Sequence, residues 1–189
     1  MIDLITEAHR FQALCLSLKW EFCFIGGLAV QHWGEPRLTR DVDVSVLTGF
    51  GPEEQFISTI LDTYQPRLPD AKEFAENHRV LLVQTPTGVD FDISLAALPF
   101  EAEMIRRSRL VEYLPGIELR ICSGEDLIVL KSFANRPQDW QDVNSIIERQ
   151  GKDNLHWEYI VTSLSPLVEV KEDPQILQKL NNLRDTARE

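Results

Sequence analysis

Residues 41–46 constrain the fold of this chain more than any other feature of its sequence. Polar and apolar side chains alternate along this run, DVDVSV, which predicts a β-strand with one wet face and one face in the core. Asp41 and Asp43 then share the wet face, because side chains two residues apart in a strand point the same way. Their carboxylates would repel each other unless a cation lies between them. A single pair of this kind is more often a solvated sheet face, so a metal site needs further support.

A glycine pair precedes this strand. The apolar run FCFI at residues 22–25 stops at Gly26-Gly27, which predicts a buried strand, a tight turn and then a short helix over residues 28–33. Glycine has no Cβ, so the backbone amides can approach a phosphate closely, and the positive end of the helix attracts anions. We therefore predict that Gly26 and Gly27 bind nucleotide phosphates, although a lone glycine pair is more often a packing or turn feature.

A second strand supplies the third carboxylate. Residues 79–84 and 89–95 are strand-like runs separated by TPTG, a sequence that predicts a hairpin. Asp90 and Asp92 share one face of the second run, and either could accept a proton from an attacking hydroxyl and share its metal. Asp92 is the first choice and Asp90 the alternative. Carboxylate oxygens suit Mg²⁺ or Mn²⁺, so Asp41, Asp43 and Asp92 are predicted to be both metal-binding and catalytic.

The rest of the chain predicts an α+β protein. Residues 65–78 are polar and are predicted to form a loop, and residues 118–122 a short strand. A boundary near residue 120 would divide a nucleotide-binding core, residues 1–120, from a C-terminal helical region packed on it, residues 121–189. Helices are predicted over residues 3–19, 52–64, 100–109 and 137–150, after the cap at residues 123–126, and through most of the tail.

Composition limits the functional classes. The net charge of −11 and the pI of about 4.8 argue against a broad basic surface for nucleic acid, although a local basic channel stays open. The first residues carry charges and lack a long apolar run, so neither a secretory signal nor a membrane anchor is expected. Cytoplasmic location is the default expectation. Three cysteines in apolar surroundings, Cys15, Cys23 and Cys122, are predicted to be small buried hydrophobic residues.

The segment from Gly26-Gly27 to Thr39-Arg40-Asp41-Val42-Asp43 resembles the signature of the DNA polymerase beta-type nucleotidyltransferase superfamily. A closer resemblance is to the abortive-infection (AbiEii-like) nucleotidyltransferase toxin group and its uncharacterised bacterial relatives. The resemblance runs from about residue 22 to about residue 150. Its downstream blocks are Pro99-Phe100-Glu101, Ser123-Gly124-Glu125-Asp126-Leu127-Ile128, Lys131, Arg136-Pro137-x-Asp139 and Asp142.

This resemblance implies a nucleotidyltransferase fold, with a mixed β-sheet flanked by helices and a C-terminal helical portion. It implies that Asp41 and Asp43 bind metal, that Asp92 matches the third carboxylate and that Lys131 contacts nucleotide phosphates. Many members have Gly-Ser where this chain has Gly-Gly, so backbone amides must replace a hydroxyl. Arg40 is assigned to the nucleotide, although it could instead pair with a neighbouring acid. The accessory residues of the predicted site are Thr39, Asp90, Arg136, Asp139 and Asp142.

The predicted function is metal-dependent transfer of a nucleoside monophosphate group from a nucleoside triphosphate, such as ATP, to a hydroxyl acceptor. Mg²⁺ or Mn²⁺ is the predicted cofactor. RNA and protein both stay open as acceptors, and the toxin likeness predicts a toxin–antitoxin system with an antitoxin protein as partner. The alternatives are transfer to a small molecule of the aminoglycoside kind, or a non-catalytic relative that binds nucleotide or protein. All three carboxylate positions are filled, which disfavours the non-catalytic alternative.

Overall fold

The computed structural model describes residues 1–187, and these residues contain one mixed sheet. The alternating run at residues 41–46 forms the second strand, as predicted. The predicted hairpin forms the fourth and fifth strands. The strands are β1 (Phe22–Phe24), β2 (Asp41–Leu47), β3 (Gln65–Pro66), β4 (Val80–Gln84), β5 (Asp90–Ala96), β6 (Arg109–Leu114) and β7 (Ile117–Ile121).

The strand order is β3-β4-β5-β2-β1-β7-β6. β2 pairs antiparallel with β1 and parallel with β5, while β4 lies antiparallel between β3 and β5. β1 also pairs parallel with β7. The sheet is therefore mixed, as predicted, and its centre brings together the two strands that carry the paired aspartates.

Helices make up most of the remaining chain. None of those within residues 1–187 is long and apolar enough to cross a bilayer. A short 3-10 helix covers Lys152–Asn154. The α-helices are α1 (Ile2–Ser17), α2 (Gly26–Trp33), α3 (Glu53–Leu61), α4 (Ala71–His78), α5 (Pro99–Arg107), α6 (Gly124–Ala134), α7 (Pro137–Gln150), α8 (Trp157–Lys171) and α9 (Gln175–Thr186).

The sequence prediction is wrong for residues 65–78. They form β3 and α4 rather than a loop. The buried side chains of α4 are Ala71 and Ala75, and two alanines give too weak an apolar stripe to predict a helix. β6 is also missed, because it is an edge strand whose residues are exposed or partly exposed and show no buried alternation.

The apolar face of the central strands lies in the core. Val42, Val44 and Val46 of β2 are at most 2% exposed. Phe91 of β5 is fully buried, and its ring centroid lies 5.2 Å from that of Phe11 in α1. Helix α1 thus packs on the apolar face of β5. The three cysteines are buried, as predicted.

Residue contacts divide the chain into two compact units. The first unit comprises Met1–Leu28 and Leu38–Cys122, and it contains the whole sheet. The second unit comprises Ala29–Arg37 and the chain from Ser123 onward, including α6 to α9. The chain therefore passes from the first unit to the second within α2 and returns to the first at Leu38. The predicted boundary near residue 120 divides the chain in sequence order alone, and it stays a prediction.

Candidate active site

Four carboxylates of the first unit share one face of two neighbouring strands. The parallel register of β2 and β5 sets Asp41 opposite Asp90 and Asp43 opposite Asp92. All four are partly exposed, while their sequence neighbours in the strands are buried. Because adjacent strands lie about 4.8 Å apart, both candidates for the third carboxylate are neighbours of the Asp41–Asp43 pair.

The glycine pair lies against Asp43. Gly26 has a positive φ of +57°, and a Cβ at this position would overlap the carboxylate of Asp43. The backbone N–H of Gly27 donates a long hydrogen bond of 3.3 Å to Asp43 Oδ2. Glycine is therefore required at residue 26 for two reasons: its left-handed backbone conformation and the close approach of a carboxylate. The turn begins α2, so its amides lie at the positive end of that helix.

Thr39 fixes the other member of the aspartate pair. Its hydroxyl lies 3.2 Å from both the backbone oxygen and Oδ1 of Asp41. Thr39 is 8% exposed, and a Cβ on Gly27 would overlap its side chain. The second glycine thus makes room for the threonine that holds Asp41, a packing reason that the sequence pattern did not reveal.

Arg67 is a residue of this face that the sequence analysis missed. Its Nη1 donates to Asp92 Oδ1 at 2.5 Å, and its Nε lies 3.9 Å from Asp90 Oδ1. Asp90 also accepts a hydrogen bond of 2.7 Å from Gln84 Nε2. Arg67 lies within the segment predicted to be a loop, and only the pairing of β3 with β4 places it here. No local pattern around Arg67 could have indicated this contact.

The donor types on this face suit a hard divalent cation, since carboxylate oxygens are the ligands that Mg²⁺ and Mn²⁺ prefer. Within residues 1–187, however, no three acidic, histidine or cysteine side chains converge as a ready metal-binding group. Asp92 is engaged by Arg67, and Asp43 faces the Gly27 amide. The four carboxylates fit a metal ion in their chemistry and in their backbone placement. Asp92, the predicted third ligand, is however paired with the guanidinium of Arg67.

Arg40 immediately precedes β2, and its side chain is exposed. An exposed guanidinium can bind a phosphate without first leaving a buried partner. The exposure of the Arg40 side chain is therefore compatible with a contact to nucleotide. That contact stays a prediction.

The other predicted residues join Arg37 in an ion-pair cluster of the second unit, in which Lys131, Asp139 and Asp142 are buried and Arg136 is exposed. This ion-pair cluster consists of Arg37, Lys131, Arg136, Asp139 and Asp142. Lys131 Nζ lies 3.1 Å from Asp139 Oδ1 and 2.9 Å from Asp142 Oδ2. Arg37 donates two hydrogen bonds to Asp142, and Arg136 Nε donates to Asp139 at 2.7 Å. Both carboxylates therefore contact the ammonium group of Lys131. The predicted contact of Lys131 with nucleotide phosphates stays a prediction.

Burial and ion pairing act in opposite directions on the two acids of the ion-pair cluster. The side chains of Asp139 and Asp142 are 1% and 3% exposed, and burial alone would raise the pKa of each carboxyl. Hydrogen bonds from Arg136 and Lys131 outweigh burial and lower the pKa of Asp139. Arg37 and Lys131 do the same for the pKa of Asp142. Both acids are therefore ionised at neutral pH and stabilise the fold in that form.

Comparisons with known proteins bear on the fold. Neither a protein-family model nor a curated protein matches the sequence. The structure is similar to an antigenic nucleotidyltransferase-like protein from Paracoccidioides brasiliensis, with 17% identity, a TM-score of 0.51, and coverage of 94% of this chain and 92% of that one. It is also similar to ANT(2")-Ia in complex with adenylyl-2"-tobramycin, with 14% identity, a TM-score of 0.55, and coverage of 88% and 98%.

A solution structure of the antibiotic-resistance factor ANT(2'')-Ia is similar as well, with 16% identity, a TM-score of 0.54, and coverage of 89% of this chain and 92% of that one. These likenesses confirm the predicted nucleotidyltransferase fold, with its mixed sheet and flanking helices. At such identities they concern the fold alone. The closer resemblance to the AbiEii-like toxin group stays a prediction.

Proposed function

We propose that this chain is a nucleotidyltransferase, which moves a nucleoside monophosphate group from a nucleoside triphosphate to a hydroxyl acceptor. One observation supports this most strongly. Asp43 lies against a glycine turn at the start of a helix, while Asp92 lies opposite Asp43 on the neighbouring strand. Backbone amides at a helix start and a set of carboxylates thus adjoin, an arrangement that would suit phosphoryl-type transfer.

The carboxylates would hold the metal and accept the proton. Asp41, Asp43 and Asp92 would hold Mg²⁺ or Mn²⁺, which would neutralise phosphate charge and make the acceptor hydroxyl more acidic. Thr39 keeps Asp41 in place through its hydroxyl group. Asp92 has the further role of accepting the hydroxyl proton, and Asp90, which Gln84 holds, is the alternative.

The phosphates would bind at the start of α2. The amides of Gly26 and Gly27 lie at the positive end of this helix, and the exposed Arg40 adds a guanidinium. In the reaction, the acceptor oxygen forms a bond to the α-phosphorus. The bond from this phosphorus to the oxygen of the β-phosphate breaks, and pyrophosphate leaves. The hydroxyl proton passes to the carboxylate and then to solvent.

Two classes of acceptor follow from different observations. The resemblance to the toxin group favours RNA or a protein hydroxyl. A small cationic molecule with a hydroxyl group is the second candidate, because the fold is shared with ANT(2")-Ia, whose structure contains adenylyl-2"-tobramycin. The four carboxylates on one face and the net charge of −11 support a cationic acceptor over a polyanion.

The direct test is transfer of label from α-labelled nucleoside triphosphates, with Mg²⁺ or Mn²⁺, to cellular RNA, cellular protein and a set of aminoglycosides. The double variant Asp41→Asn, Asp43→Asn should lose at least about a hundredfold in rate, because it removes the predicted metal ligands. The matched control, Asp62→Asn with Asp70→Asn, changes two exposed acids of the first unit that lie outside β2 and β5 by the same charge. Transfer that survives the first change would contradict the mechanism.

A binding-only role is distinguished by calorimetry. Heat of binding for a nucleoside triphosphate with Mg²⁺, without transfer to any acceptor class, would favour the non-catalytic alternative. The toxin hypothesis has its own test, which is growth after induced expression. Arrest that requires Asp41 and Asp43 would support it, whereas harmless expression of an active enzyme would contradict both the toxin role and the need for an antitoxin.

A further inference from the structure

We propose that Arg67 is a positioning residue that competes with the metal ion for Asp92. It would hold this carboxylate while no cation is bound, and release it when a divalent cation takes its place. The inference rests on the function proposed above, because it assumes that Asp92 is a metal ligand.

The backbone places Arg67 in line with Asp92 across the sheet. The N–H of Arg67 donates to the backbone oxygen of Leu82 at 3.0 Å, and Leu82 is the register partner of Asp92 in the β4–β5 pair. Directly opposite residues of an antiparallel pair point to the same face. Arg67 thus lies on the carboxylate face in line with Leu82 and Asp92, and its position depends on the sheet rather than on a mobile loop.

The contact is close, but it can be exchanged. Arg67 Nη1 lies 2.5 Å from Asp92 Oδ1, while the side chains of Arg67 and Asp92 are 31% and 34% exposed. Ion pairs with this much solvent access contribute little net free energy, since water replaces the partner at low cost. Asp90 differs, because a neutral amide from Gln84 lies closer to it than Arg67 does. The arginine thus acts mainly on Asp92.

A divalent cation and the guanidinium of Arg67 cannot both bind the same oxygen of Asp92. A divalent ion held by Asp43 and Asp92 would lie within a few ångströms of a fixed positive charge, and like charges at that distance repel strongly where water is partly excluded. Displacement of Arg67 would remove this repulsion and free the oxygen that it occupies. The competition also explains why, in the described part of the chain, the carboxylates adjoin on the sheet without converging as a ready metal-binding group.

The test is metal binding rather than catalysis. Mn²⁺ would be titrated into the full chain, with and without a non-hydrolysable nucleoside triphosphate analogue, and free Mn²⁺ followed by electron paramagnetic resonance. Arg67→Gln should tighten Mn²⁺ binding about three- to fivefold, the size expected for loss of a partly exposed competing ion pair. Arg67→Lys keeps the charge and should stay within about twofold of the unmodified chain.

The matched control is Lys72→Gln. Lys72 forms an ion pair with Glu54 on the surface of the same unit, with both side chains largely exposed, so this variant loses the same charge without touching the carboxylate face. It should leave Mn²⁺ affinity unchanged. In an Asp92→Asn background, the effect of Arg67→Gln should disappear, because the competition acts through Asp92.

The outcomes separate the inference from the function on which it rests. Equal Mn²⁺ affinity of Arg67→Gln and the unmodified chain would overturn the inference and leave the proposed transferase intact. Equal tightening in Lys72→Gln would also overturn it, since the effect would then be general electrostatics. If Mn²⁺ binds to neither chain, even with the nucleotide analogue, both the inference and the proposed metal-dependent function fail.

Discussion

The carboxylate of Asp43 occupies the space that a Cβ on Gly26 would fill. The glycine turn and the predicted metal-binding strand therefore pack directly against each other, although the two residues belong to different elements, α2 and β2. A change in either residue should affect the other.

Gly26→Ala tests this relationship. The new methyl group would displace Asp43 and would also strain a residue at φ +57°. Gly116→Ala is the matched control, because Gly116 has φ +77° and a Cβ added to it would meet nothing within 4 Å. We expect about 1–2 kcal/mol of destabilisation for Gly116→Ala from the backbone alone, and about 1–3 kcal/mol more for Gly26→Ala from the overlap. Urea unfolding measures both, and equal losses would contradict the close approach.

Thr39→Val should impair the site more than the fold. Valine keeps the shape of the threonine side chain but removes the hydroxyl that bonds to Asp41. We expect a loss of about 0.5–1.5 kcal/mol in the free energy of unfolding, together with weaker Mn²⁺ binding. Thr39→Ser retains the hydroxyl and should restore Mn²⁺ affinity. Equal Mn²⁺ affinity in the valine and serine variants would show that the hydroxyl does not position Asp41.

Local patterns predicted the strands of the site but not their alignment. The alternation at residues 41–46 and the hairpin sequence depend on side chains close in the chain, so β2 and β5 could be recognised. The register that sets Asp43 opposite Asp92 joins residues 49 positions apart. It depends on how whole strands pack, and no short pattern specifies it.

Arg67 and Lys131 also show that a short sequence pattern does not identify the tertiary partner of a side chain. Arg67 had no motif, since its contact with Asp92 arises from a two-residue edge strand. Lys131 had a motif through the family resemblance, but its burial among Asp139 and Asp142 depends on how α6 and α7 pack. In both cases the residue type was visible in the sequence, and only the tertiary structure identified its partner.

Removal of the central cation should destabilise the ion-pair cluster. Lys131→Met leaves two buried carboxylates with one fewer charged partner each, and breaking a buried pair in this way costs on the order of 3 kcal/mol. Lys131→Met with Asp139→Asn and Asp142→Asn should cost less than the sum of the separate changes, because it leaves no unpaired carboxylate. Chemical denaturation of the variants measures this coupling, and additive losses would contradict a shared cluster.

Lys131→Arg separates the structural role from the predicted nucleotide contact. Arginine keeps the positive charge, so much of the stability should be retained, but its planar group changes the contact geometry. Binding of a nucleoside triphosphate by this folded variant is measured by calorimetry. Affinity that falls while stability is kept would support the phosphate contact, and unchanged affinity would count against it.

The ion-pair cluster should also make stability depend on pH in the acid range. The folded-state pKa values of Asp139 and Asp142 lie below their ordinary values, so below about pH 4 the unfolded chain binds more protons than the folded one. Their contribution is therefore fully present above about pH 4, and it is lost as the pH falls through the folded-state values. The urea midpoint of unfolding is measured at several values between about pH 2.5 and pH 6. It should change less steeply with pH for the variant Asp139→Asn, Asp142→Asn than for the control variant Asp62→Asn, Asp70→Asn. An equal slope in the two double variants would mean that the buried acids titrate as exposed ones do.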